Sequence, residues 1–152
     1  MKCVGVKYKG SNKIYYFSVP KVLERYVGKR NKVECGNIEN STHGVVVDVC
    51  EDMTDDAIKE LTGGRELQKI RGVMYKANLS ELALPSRVQG SKPAVGKLTS
   101  RIEEYYKTGS FKANVEFEVD GYGRISLVDG YTAFLVARMF NRPFLYGILK
   151  AQ

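Results

Sequence analysis

The sequence predicts an α+β protein of two modules, a small β-rich, barrel-like N-terminal module followed by a mixed one, and three observations carry this reading. Up to Cys50, short runs of β-branched and aromatic residues recur between Gly, Asn and Ser. Beyond Gly64, runs with apolar residues three and four apart alternate with strand-like runs. Between the two patterns stand a short helix and its stop, Thr62-Gly63-Gly64. With 152 residues, 43% of them hydrophobic, the chain can bury a core in one ordinary domain or two small ones.

The first module spans residues 1–53. Lys2–Tyr8 and Lys13–Val19 read as strands flanking the hairpin-like Lys9-Gly10-Ser11-Asn12, and Asn31–Cys35 and His43–Glu51 as strands flanking a polar loop from Gly36 to Thr42. Strands so short and closely spaced suggest a strongly bent sheet or small barrel, an architecture that names no activity. Residues 54–71 read as a helix and linker: Thr54 caps, Asp55 and Asp56 fill the first turn, Ile58 and Leu61 supply the apolar face, and two glycines end it.

The second module, residues 72–152, opens with a strand and polar turn in Val73–Leu84, then a loop from Pro85. Ala94–Gly109 has Val95, Leu98, Ile102 and Tyr105 on one helical face. Ala113–Asp120 alternates apolar and acidic residues as a half-exposed strand does, the Gly121-Tyr122-Gly123 turn reverses the chain, and Arg124–Val128 returns as a strand. Asp129-Gly130 then opens a helix carrying Phe134, Val136, Ala137 and Phe140, and Pro143–Lys150 reads as a last strand.

The net charge of +7 is unevenly spread. Residues 1–62 carry ten Lys/Arg against nine Asp/Glu, residues 63–152 fourteen against eight. The cationic half is a footprint for nucleic acid or another polyanion, with solubility alone as the plainer account. No run approaches the roughly 20 apolar residues of a membrane span, and the N-terminal segment lacks the apolar centre of a signal peptide. The expectation is a cytoplasmic protein with no membrane partner. Its three cysteines lack a C-x-x-C pair and suit reduced thiols.

In the C-terminal module, three segments together resemble the ParB/sulfiredoxin superfamily: "NLSELALPSRV" from Asn78 to Val88, "VGKLTSRIEEYYKTGSF" from Val95 to Phe111, and "FEVDGYGRISLVDGYTAFLVARMFN" from Phe117 to Asn141. The likeness covers roughly residues 72–150 and implies a helix start at Asp129-Gly130 that serves phosphate chemistry. Members bind and hydrolyse CTP there, use ATP to repair oxidised cysteine, or phosphorylate free serine. If the loop folds back as in the family, Arg87 and the turn of Asp129, Gly130, Tyr131 and Thr132 could together hold one phosphate of a nucleotide with Mg; the alternative is that no cofactor binds, Asp129 caps the helix and Gly130 only allows the tight turn. In many members the Gly is followed within two or three positions by Arg, often with His between, whereas Gly130-Tyr131-Thr132-Ala133-Phe134 has neither, so the family's bidentate guanidinium is missing from this box.

Three functions remain open on the sequence. The first is non-catalytic binding of nucleic acid, DNA foremost, through Lys97, Arg101, Lys107, Lys112, Tyr122, Arg124 and Arg142, with Tyr105, Tyr106, Tyr131 and Tyr146 interspersed. The second is a nucleotide-binding enzyme or sensor using the Asp129 turn. The third is a phage or mobile-element protein that binds and inhibits a host protein. Glu103 and Glu104 diverge by about 100° on a helix and cannot both serve one site. Cys3, Cys35, His43 and Cys50 have irregular spacing for zinc, and no metal site built from the protein's own side chains is expected.

Overall fold

A computed structural model describes residues 1–36, 42–85, 92, 94–109 and 115–152. The protein is mixed α and β, with eight strands among the described residues: β1 (Cys3–Lys7), β2 (Ile14–Ser18), β3 (Lys32–Cys35), β4 (Thr42–Cys50), β5 (Gly72–Asn78), β6 (Glu116–Val119), β7 (Ile125–Asp129) and β8 (Phe144–Ala151). The strand order is β2-β1-β4-β3-β5 in the N-terminal part and β5-β8-β6-β7 in the C-terminal part. The helices are α1 (Asp55–Thr62), α2 (Val95–Thr108) and α3 (Tyr131–Met139). The chain divides into two compact units, Met1–Met74 with Ala151, and Tyr75–Lys150 with Gln152.

In the first unit β1 pairs antiparallel with β2 (Val4 opposite Phe17) and with β4, where the register shifts between Gly5 and Val6. Val4, Val6, Val33 and Val46 face inward with Leu23 and Ile70, and burying each such side chain is worth about 1.5–3 kcal/mol. Gly44 is required here, because a Cβ would overlap Val6 Cγ1. Between β2 and β3 lies a 3-10 helix, Lys21–Tyr26, that sequence periodicity did not reveal. The sheet is not closed into the expected barrel. One bridge, Ser18 with Lys69, ties the end of β2 to the chain leading into β5. The α1 helix follows its sequence signals: Thr54 Oγ1 accepts from Ala57 N–H at 3.2 Å, and Gly63 at φ 66° ends it.

In the second unit, β6 and β7 form the hairpin, with Phe117 opposite Leu127. Phe117, Val119, Leu127, Val136 and Leu149 are buried with Phe134 and Leu145. α2 packs on α3 and ends at Gly109, whose N–H reaches Tyr105 O at 2.7 Å. Of the expected apolar face of α2, Leu98, Ile102 and Tyr105 are half-buried, but Val95 is 81% exposed. The first turn of α2 therefore lacks a packing partner among the described residues. Among them, no helix is long and apolar enough to cross a membrane.

Candidate nucleic-acid interface

The outward aromatics of β8 follow from strand alternation. Leu145, Gly147 and Leu149 face the core, so Phe144 and Tyr146 point the other way. Gly147 fixes that register, since a Cβ there would stand 2.6 Å from Val115 O. Phe144 and Tyr146 remain 39% and 60% exposed.

Cations stand beside these rings. Lys76, on β5, places Nζ 4.1 Å from the Phe144 ring centroid and 5.9 Å from that of Tyr146. The Arg142 guanidinium lies 5.9 Å from the ring of Tyr105, which itself packs on Phe140 at 5.0 Å. Arg142 is positioned by the end of α3: Asn141 adopts φ 53°, its N–H donates to Arg138 O, and Arg142 N–H donates to Ala137 O. Lys76, Tyr105, Arg142, Pro143, Phe144 and Tyr146 line an open groove of about 630 Å³. Neither Lys76 nor Arg142 has a carboxylate ion-pair partner among the described residues.

The other contact candidates are dispersed. Lys97 and Lys107 are exposed on α2, but Arg101 is bound to Glu104 at 2.7 Å. Tyr122 is 100% exposed at the hairpin tip, beside exposed Arg124. Lys112 lies outside the described residues, as does Arg87. Lys76 and Phe144 were not among the residues expected from sequence. The signal was the alternation in "PFLYGILK", which puts Phe144 on the same strand face as Tyr146.

At the start of α3, Asp129 Oδ1 accepts from Gly130 N–H at 2.8 Å, Thr132 is buried, and Tyr131 stacks on Phe134 with centroids 6.2 Å apart. Gly130 is demanded twice, by φ 96° and by Val115 Cγ2, which a Cβ would approach to 2.9 Å. In the first unit, Lys7, Lys9, Lys32, Tyr8 and His43 line a second concavity of about 520 Å³. Cys3 stands opposite Cys50 across β1 and β4, while exposed His43 faces Glu34 at 3.9 Å. No group of three His, Cys, Asp or Glu suited to a metal occurs among the described residues.

No protein-family model matches the chain, and no curated protein matches it.

Proposed function

We propose that this protein binds nucleic acid, DNA foremost, without catalysing a reaction on it, and that the groove of the C-terminal unit makes the principal contact. The observation that carries the reading is Lys76 and Arg142 set against the rings of Phe144, Tyr146 and Tyr105. Cations of this kind neutralise phosphates and release counterions, while aromatic faces accept bases or sugars. The surplus of Lys/Arg beyond residue 62 supports it. The ParB/sulfiredoxin likeness enters the proposal through the element order β5, α2, β6, β7, α3, β8. A first unit bent toward a barrel without closing belongs to the same proposal, and the Ser18–Lys69 bridge supports it.

The test is fluorescence anisotropy of labelled DNA titrated with the protein over a range of salt. Affinity should fall steeply as salt rises, and Lys76→Ala and Arg142→Ala should each flatten that slope by nearly one unit. Absence of binding at low salt, or binding indifferent to salt and to both substitutions, overturns the reading.

A further inference from the structure

We infer that the groove selects single-stranded over duplex nucleic acid, its bases stacking on Phe144 and Tyr146. This rests on the nucleic-acid reading above and adds the form of the polymer. The two residues are two apart on β8 and share its outward face, so their rings are set roughly 7 Å apart along the strand. That is about twice the 3.4 Å rise between stacked bases. A chain that offers one base to each ring must be unstacked, which a single strand does at little cost and a duplex only by giving up its pairing.

The cations fit the same occupant. Lys76 Nζ rests over the Phe144 ring, a solvent-exposed arrangement that a base and its phosphate replace with stacking and an ion pair. Arg142 supplies the second phosphate contact at the Tyr105 end. On the β6 side, the carboxylate of Glu116 is paired with Lys150, so it does not confront the polyanion as an isolated charge.

The experiment compares labelled single strands of about 20 nucleotides, oligo(dT) and oligo(U), with a duplex of the same length. Single strands should bind at least about tenfold more tightly. Phe144→Ala and Tyr146→Ala should each weaken single-strand binding about five- to hundredfold without changing the salt slope, and Tyr146→Phe should retain it. Lys76→Ala should instead lower the slope by about 0.7. Unchanged melting temperatures show that these exposed substitutions leave the fold intact. Equal or tighter binding of duplex, or indifference to both ring deletions, overturns this inference and leaves the broader reading standing. Failure of every polynucleotide to bind removes both.

Discussion

Asp129 Oδ1 holds the N–H of Gly130 at 2.8 Å, so the start of α3 already carries a negative charge from its own chain. A phosphate brought to the same place would meet that carboxylate. ATP, ADP, CTP and GTP with magnesium are therefore expected to leave the melting temperature unchanged. A ligand at 100 times its Kd would stabilise by about 2.7 kcal/mol, a shift of roughly 5–10 °C for a chain of this size. Such a shift, abolished in Arg87→Ala, would restore the nucleotide site.

Val115 sets a second expectation, because two glycines approach it. Gly147→Ala drives a Cβ to 2.6 Å from Val115 O and 2.8 Å from Phe117 Cε2, the backbone of a buried residue leading into β6 and a buried ring. Urea unfolding should show a loss of about 3 kcal/mol. Gly109→Ala is the comparison: φ is 71°, but nothing among the described residues lies within 4 Å, so only the backbone preference opposes it, at about 1–2 kcal/mol. Equal losses at the two positions would mean that space at Gly147 is not limiting.

The elements were largely legible because their signals are local. Thr54 and Gly63 bracket α1, and the turn at Gly121-Tyr122-Gly123 joins β6 to β7. The groove was less legible because it depends on which strands become neighbours. Lys76 and Phe144 lie far apart in sequence, and only the adjacency of β5 and β8 brings the ammonium over the ring. The 3-10 helix at Lys21–Tyr26 is too short for helical periodicity to mark it.

Lys2 illustrates the same dependence on tertiary pairing and yields a third prediction. Its side chain is largely buried, and Nζ donates to Glu24 O at 2.7 Å and Val27 O at 2.6 Å, with Glu51 at 3.4 Å. Lys2→Met keeps the stem but deprives those carbonyls of their donor. The expected loss is about 2 kcal/mol in urea unfolding. Full stability in the variant would show that water replaces the ammonium.

Cys35 makes stability depend on alkaline pH. Burial pushes its thiol from the ordinary 9.0 up to about 11, with the Tyr8 hydrogen bond pulling down and the charge of Glu34 pushing up. Between about pH 9 and 11 the unfolded chain releases this proton while the folded chain keeps it. The contribution is whole below pH 9 and is lost as pH rises through the folded value. Cys3, Cys50 and Tyr16 are raised as well, so wild type alone does not isolate Cys35. The informative quantity is the stability gap between wild type and Cys35→Ala, which should narrow as pH rises through this window. A gap that stays constant from about pH 8 to 11 would show that the thiol titrates alike in both states.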